Sequence, residues 1–508
     1  MERADAADAD RSAAAAPAAA PRRSGFEVVV GLEVHLALRT ASKLFCACPT
    51  PSGDDGAPNR HVCPVCLGLP GALPVANARA LELAVRFADA LGCDVPEVTT
   101  FARKHYGYPD APKNYQISQH DRPVGLGGAL ELPGGRRIGL VRCHLEEDAG
   151  RLVHPTYADH SLVDLDRAGA PLIELVTAPD LRSGEEARAF LEEVRALARA
   201  LGVSDATPEE GKMRADVNVS LRRPGEPLGT KVEVKNLNSF KSVEAAIESE
   251  ATRQERRLAG GLPVAQETRG WNEGGQKSYV LRSKEEAADY RYLDDPDLPP
   301  VRLPPAWRQA VRAATPPTPA ALRTRYRAAG LRPDDADRLA VDIDLARAFD
   351  ALVEAAGRTR GTRPSARGLA NWLLVEAVGH AHGAGRAVAD LDLVDPTRAD
   401  ALAALVALAE TGDVTGPTAK GLLPEVLAGA DPTDLIAARG LRAVADQDAL
   451  GALVDATLAA HPDVAAGARA NPKAVNFLMG QVMRASGGQA RPDAVRALLR
   501  TRLSLEEP

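Results

Sequence analysis

Along Phe26–Leu38 apolar and polar residues fall into a period of two. Val28, Val29 and Val30 lead in, and Leu32, Val34 and Leu36 then alternate with Glu33 and His35. This predicts a half-buried strand with a carboxylate and an imidazole side by side on its polar face. Such a pair can hold a divalent cation or move a proton, but taken alone it is more often an ordinary exposed strand face. The pattern recurs, however. Ile138–Glu146 predicts a strand ending in His144-Leu-Glu146-Glu147-Asp148, and Ser161–Asp166 and Pro171–Val176 predict short ones. Glu174 is a lone acid among Leu172, Ile173, Leu175 and Val176, a costly placement unless it is paired or bound to metal. Arg214, Asp216, Asn218 and Ser220 alternate with Val217, Val219 and Leu221, and Lys231-Val-Glu233-Val-Lys235 repeats the arrangement. The expected product is a concave antiparallel sheet with its acids, Arg, Lys and Asn lining one site.

Between these strands the period changes to that of helices. Asn77–Leu91 carries Leu81, Val85 and Ala88 at helical spacing, with Gly92 as a stop. Ser183-Gly-Glu-Glu186 is a capping box ahead of Phe190, Leu191, Val194, Leu197 and Leu201. Asn236-Leu-Asn238-Ser239 opens a helix to about Leu258, and a helix N-terminus just after the Lys235 strand suits an anion. Tyr106–Gln116, with two prolines, a glycine and an Asp, predicts an irregular loop, either mere surface or one whose tyrosines, Lys113, Asn114 and Gln116 orient a polar ligand. Prolines cluster from Pro299 to Pro319, and beyond them the chain reads as helices, with a break near Asp390–Thr397. Four parts follow: a disordered extension over 1–24, a sheet domain over 25–300, a helical domain over 301–395 and a helical tail over 396–508. The fold class is α+β.

Composition changes this picture little. With 45% hydrophobic and 26% charged residues over 508 positions the chain is that of a multidomain soluble protein. No apolar run reaches the roughly 20 residues a membrane-spanning helix needs, and acids at Glu2, Asp5, Asp8 and Asp10 argue against a targeting peptide. The net charge of −7 does not announce a nucleic-acid binder, but its distribution matters. Arg469, Lys473, Arg484, Arg491, Arg496, Arg500 and Arg502 stand against one acid, Asp493, a pattern that suits a phosphate contact but on charge alone is more often a solvated helix face. Cysteines add chemistry. Cys46-Ala-Cys48 and Cys63-Pro-Val-Cys66 supply four thiolates across a short loop, the spacing of a structural zinc site, with His61 as a substitute ligand. That use suits a reducing cytoplasm. Cys93 and Cys143 read as structural.

The motifs taken together resemble one family. Gly31-Leu-Glu-Val-His35, Val62-Cys-Pro-Val-Cys-Leu-Gly-Leu-Pro70, Pro112-Lys-Asn-Tyr-Gln-Ile-Ser-Gln119, His144-Leu-Glu-Glu-Asp-Ala-Gly150, Pro171-Leu-Ile-Glu174, Arg214-Ala-Asp-Val-Asn-Val-Ser220, Glu233-Val-Lys-Asn-Leu-Asn-Ser-Phe240 and Asp289-Tyr-Arg-Tyr292 occur in the order found in B subunits of bacterial aspartyl/glutamyl-tRNA(Asn/Gln) amidotransferases. The resemblance implies a cradle-shaped kinase-like domain, a helical domain and a tail domain that contacts tRNA. It also implies a heterotrimer, completed by the A subunit, which is an amidase, together with a small bridging C subunit. In the reaction ATP phosphorylates the side-chain carboxylate of Glu on tRNA(Gln) or Asp on tRNA(Asn), and ammonia from glutamine displaces phosphate. On the family's pattern His35, Glu146 and Glu174 match the Mg²⁺-binding positions, with Glu33 beside them. We assign Asp216 to a second metal or to water, and Lys235 and Arg214 to phosphate. Departures stand at His105, Gly107, Ala111 and Leu293, around the loop that would seat ATP or the tRNA end. A non-catalytic tRNA-binding scaffold, the archaeal relative acting only on Glu-tRNA(Gln), and a metal-dependent ligase for a free metabolite are the rival readings.

Overall fold

The computed structural model describes residues 25–50, 57–155, 159–283, 290–359, 361–443, 447–468 and 472–505. The extension expected over 1–24 lies outside them, as do Asp289, Arg469 and Asn471. The chain forms two compact units, one up to Thr318 and one from Pro319.

In the first unit, β1 (Glu27–Ala37) is followed by helix α1 (Ala78–Ala90) and short strands β2 (Val98–Thr99), β3 (Ala102–His105) and β4 (Tyr115–Ser118). Next come β5 (Gly125–Leu126), β6 (Ala129–Glu131), the long β7 (Arg137–Glu147), β8 (Arg151–Val153), β9 (Leu162–Asp164) and β10 (Pro171–Thr177). Helix α2 (Gly184–Ala200), β11 (Met213–Arg222), β12 (Val232–Lys235), helix α3 (Phe240–Ala259), β13 (Glu267–Asn272), β14 (Lys277–Ser283), β15 (Leu293–Asp294), β16 (Val301–Arg302) and helix α4 (Pro305–Ala313) complete it. Nine strands make one sheet in the order β14-β13-β12-β11-β1-β10-β7-β5, with β6 also on β7.

The sheet is mixed rather than antiparallel, because β12 and β13 run parallel. The reason is α3, which lies between them in the chain and carries it back across the sheet, as a parallel pair requires. The other pairings are antiparallel.

Alternation decides which way each strand faces. Leu32, Val34 and Leu36 are at most 1% exposed, while Glu33 and His35 between them are half-buried. The apolar face joins one core with Phe190, Leu191 and Val194 of α2, Val243 and Ile247 of α3, and Leu83 and Phe87 of α1. The helices start where their caps predict. Asn77 accepts from the N–H groups of Arg79 and Ala80, and Ser183 from that of Glu186. Helices α2 and α3 approach so closely that a Cβ on Gly184 would lie 2.6 Å from the Glu244 carbonyl oxygen.

The second unit is helical throughout its described residues, with a π-helical turn at Trp372–Ala377. Its side chains form two apolar clusters, one from Leu322 to Ile436 and one from Leu450 to Leu499. Helix Pro396–Thr411, just past the break expected near 395, packs in the first of them. In the last helix, Pro492–Arg502, Val495 and Leu499 are buried and Leu498 packs beside them.

Candidate active site

Register places the polar residues next to one another. On β1, His35 lies opposite Glu174 of β10 on one side and Arg214 of β11 on the other, and Glu174 in turn lies opposite His144 of β7. Two residues earlier on β1, Glu33 lies opposite Asp216. β1 is thus the spine of a polar row that crosses four strands.

At one end of this row the His35 Nε2 atom is 3.4 Å from Glu146 Oε1 and 3.3 Å from Glu174 Oε2. His144 Nε2 is 3.3 Å from the same Glu174 oxygen, and Lys104 Nζ is 4.0 Å from Glu146 Oε2. Burial works against charging His35, but the hydrogen-bonded carboxylates of Glu146 and Glu174 push its pKa up to about 10. Burial also works against ionising those two acids, yet His35 and Lys104 hold Glu146 below the usual range, and His144 and His35 hold Glu174 well below it. The ligand atoms of His35, Glu146 and Glu174 lie within 4.8 Å of one another. Glu146 Oε2 is buried with no hydrogen-bond partner among the described residues. An unpartnered buried oxygen on one of three converging donor residues fits a hard divalent cation such as magnesium.

Further along, Glu33, Asp216 and Glu233 also converge within 4.8 Å. Here a protein cation already stands among them. Lys235 Nζ donates to Asp216 Oδ2 at 2.5 Å and is 3.0 Å from Glu233 Oε1, and Asn218 Nδ2 donates to Glu33 Oε1 at 3.1 Å. Burial raises the Glu33 pKa, and Glu174, Glu233 and Asp216 add to the rise. Arg214 donates to Asp148 Oδ1 at 2.9 Å. Lys113 reaches Glu147, donating to Oε2 at 2.6 Å, and Glu147 Oε1 accepts the Ile117 N–H at 2.8 Å. Asn114 is exposed, and its φ of 59° shows a left-handed turn residue, a conformation that Asn tolerates better than most. The structure therefore brings Glu33, His35, Glu146, Glu174, Asp216 and Lys235 onto one sheet face, ties Arg214 and Lys113 to the acids after Glu146, and leaves Asn114 exposed in the turn next to Lys113.

The thiols form a separate centre. Sulfur atoms of Cys46, Cys48, Cys63 and Cys66 lie within 4.8 Å of one another, a closed four-donor set that fits tetrahedral zinc. Lys43, with no exposed surface, donates to the His61 carbonyl at 2.7 Å and lies 3.8 Å from Cys66 Sγ. A hydrogen bond from Cys46 lowers the Cys66 pKa against burial, and the Cys63 N–H and Lys43 add to the fall. Through its carbonyl His61 holds Lys43, while the four-donor set is made of cysteines alone.

Two family models match the chain: the GatB/GatE catalytic domain over residues 28–309 and the GatB domain over residues 351–503. The chain belongs to the GatB/GatE family. Relatives named as the B subunit of aspartyl/glutamyl-tRNA(Asn/Gln) amidotransferase include one from Deinococcus radiodurans, 52% identical over 94% of this chain and 100% of its own length. Another, from Thermus thermophilus, is 53% identical over 93% of this chain and 98% of its own. A third, from Anaeromyxobacter dehalogenans, is 46% identical over 94% and 99%.

Sequence reasoning missed two residues of this GatB/GatE site. His144 was legible, since it lies two positions before Glu146 on one strand and so shares its face. Lys104 gave less warning. It sits on β3, a four-residue strand whose partners are β4 and the distant β15, and only that pairing sets it beside Glu146.

Proposed function

We propose that this chain activates the side-chain carboxylate of a mischarged tRNA, Glu on tRNA(Gln) or Asp on tRNA(Asn), by ATP-dependent phosphorylation for amidation by ammonia. As a member of its family it is one of the subunits of a glutamine-dependent tRNA amidotransferase. The observation that carries the phosphorylation step is the joining of His35, Glu146 and Glu174 with Lys104, Lys235 and Arg214 on or beside one sheet face. A carboxylate is a poor acyl donor and repels a triphosphate, so the step calls for positioned cations more than for a covalent nucleophile.

One carboxylate oxygen of the substrate attacks the γ-phosphorus, the bond to the bridging oxygen breaks, and ADP leaves. Ammonia then adds at the acyl carbon, the bond to the phosphate oxygen breaks, and the proton shed by nitrogen matches the one taken up by phosphate. Magnesium held by His35, Glu146 and Glu174 would neutralise phosphate charge. Lys235, between Asp216 and Glu233, is held ready to exchange a carboxylate for a phosphate oxygen, Arg214 supplies a second cation, and Lys113 and Asn114 border the substrate. Zinc in the cysteine set is structural.

In this reading residues 25–300 are a kinase-like cradle, 301–395 a helical domain and 396–508 a tRNA-binding tail. Ammonia comes from a partner amidase, the A subunit; the small C subunit, bridging the two, makes the assembly a heterotrimer, and the reaction is cytoplasmic. Arg484, Arg491, Arg496 and Arg500 are the tail's phosphate contacts, whereas Arg502 already pairs with Asp455 at 2.8 Å. No helix among the described residues is long and apolar enough to cross a membrane.

The deciding experiment measures ADP release by the chain in complex with its amidase and bridging partners, with and without mischarged tRNA, before and after Glu146→Ala. ADP that requires the mischarged tRNA and disappears in the variant is the expected result. Tight tRNA binding with no ADP would make the chain a scaffold.

A further inference from the structure

The chain has eight tyrosines, and three of them stand beside the His–Glu–Glu triad. Backbone pairing puts them there. The His105 N–H donates to the Tyr290 carbonyl at 2.9 Å, and Leu293 pairs with Arg103, so the 290–294 segment lies along the strand that carries Lys104. Lys104 Nζ sits 5.1 Å from the Tyr290 ring centroid while it also approaches Glu146 at 4.0 Å. Tyr106 meets Tyr290 edge to face with centroids 6.3 Å apart, and Tyr290 meets Tyr292 in the same manner at 6.5 Å. His120 stacks on Tyr292 at 4.2 Å with the planes 21° apart. The Tyr292 hydroxyl lies within the electrostatic reach of Glu146, Glu174 and Lys104.

These rings are not core packing. Tyr106, Tyr290 and Tyr292 are only half-buried and belong to none of the three apolar clusters, and the His120 side chain is 44% exposed. Scarce aromatic surface kept out of the core beside a metal-competent centre implies a ligand with a π-face. In the reaction proposed above, the reacting carboxylate, the phosphates and the riboses have none. The adenine ring does, and both reactants carry one: ATP, and the 3′-terminal adenosine to which the amino acid is esterified.

Resting on that reading of the site, we infer that the wall formed by Tyr106, Tyr290, Tyr292 and His120 is an adenine-stacking site that seats one reactant over the triad. Lys104, held between the Tyr290 ring and Glu146, joins the wall to the reacting centre.

The test uses the assembled heterotrimer and the variants Tyr292→Leu, Tyr292→Phe and His120→Ala. Two affinities are measured: that for ADP beside inorganic tripolyphosphate, and that for full-length tRNA beside tRNA lacking its terminal adenosine. If the stacked ring belongs to ATP, Tyr292→Leu weakens ADP about 10-fold, leaves tripolyphosphate unchanged, and Tyr292→Phe restores binding. If it belongs to tRNA, Tyr292→Leu removes the preference for full-length over truncated tRNA and leaves ADP alone. Either result supports the stacking site and names its source. His120→Ala, a change at an exposed ring that the fold tolerates, should move the same affinity in the same direction. Both affinities unchanged in His120→Ala and in folded Tyr292→Leu would overturn the proposal. Failure of the wild-type complex to release ADP with mischarged tRNA would instead overturn the carboxylate-kinase reading, while ADP affinity still reports on the wall.

Discussion

The cysteine set and the His–Glu–Glu triad both hold their ligand atoms within 4.8 Å, yet they are built in opposite ways. The thiols come from one short stretch, all four donors are soft, and a buried Lys43 offsets part of their negative charge. Such a centre is complete in itself and leaves no position for substrate. The triad draws one donor from each of β1, β7 and β10, two carboxylate oxygens and an imidazole nitrogen, and stops at three donors beside a wall of aromatic rings. A locally supplied centre depends on its own loop, whereas a centre drawn from three strands depends on the register of the whole sheet. One should therefore fail as stability and the other as chemistry.

The largest effect expected on that contrast is at the triad. Glu174→Gln keeps shape and removes a ligand charge, so tRNA-dependent ADP release and amide formation should fall by about 10²–10³-fold or more. Glutamine hydrolysis by the partner amidase should continue in the same preparation. A variant that amidates at the wild-type rate would erase the distinction between the two centres. At the thiols, Cys63→Ser should lower zinc content and reduce stability by on the order of 4 kcal/mol, while the enzyme that stays folded keeps its turnover. Full zinc occupancy in that variant would mean that the ligand set is wrong.

How much of this was legible follows from the range of each signal. Period-two alternation acts locally, so the faces of β1, β7, β10 and β11 could be read, and with them the pairing of Glu33 with His35 and the anomaly of Glu174. The thiol spacing is local as well. What failed was non-local. The parallel pairing of β12 with β13 depends on where α3 delivers the chain, and nothing in either strand records it. Tyr106–Gln116 read as an irregular loop, yet Tyr115 begins β4, because pairing with β3 and, through it, β15 stabilises a segment whose local pattern is weak. Lys104 and the joining of Tyr106 with Tyr290, Tyr292 and His120 were missed for the same reason.

Proton release gives a finer measure of the difference. In the metal-free pocket His35 carries its proton up to about pH 10, and a cation that takes Nε2 must expel it. Apparent affinity for magnesium should therefore rise with pH by about one logarithmic unit per pH unit below pH 10 and level off above. Calorimetry in two buffers of different ionisation enthalpy should find about one proton released per ion. His35→Gln should weaken binding and flatten the slope. An unchanged slope in that variant would take His35 out of the ligand set.

The smallest predicted change falls on the turn just past the last cysteine. Gly68, two residues past the last cysteine, has φ of +67°, and a Cβ there would lie 3.2 Å from the Lys113 Cα. Lys113 in turn holds Glu147, the neighbour of Glu146. Gly68→Ala should cost about 1–2 kcal/mol, from the left-handed backbone and the displaced neighbour together. Because the thiols are a closed set, zinc should be retained, and because the triad is held by strand register, turnover should change less than twofold. The melting temperature should fall by a few degrees, with any kinetic effect confined to the substrate KM through Lys113. If turnover collapsed while zinc and stability held, the loop would be shaping the chemistry directly, and the separation between a stabilising centre and a reacting one would be lost.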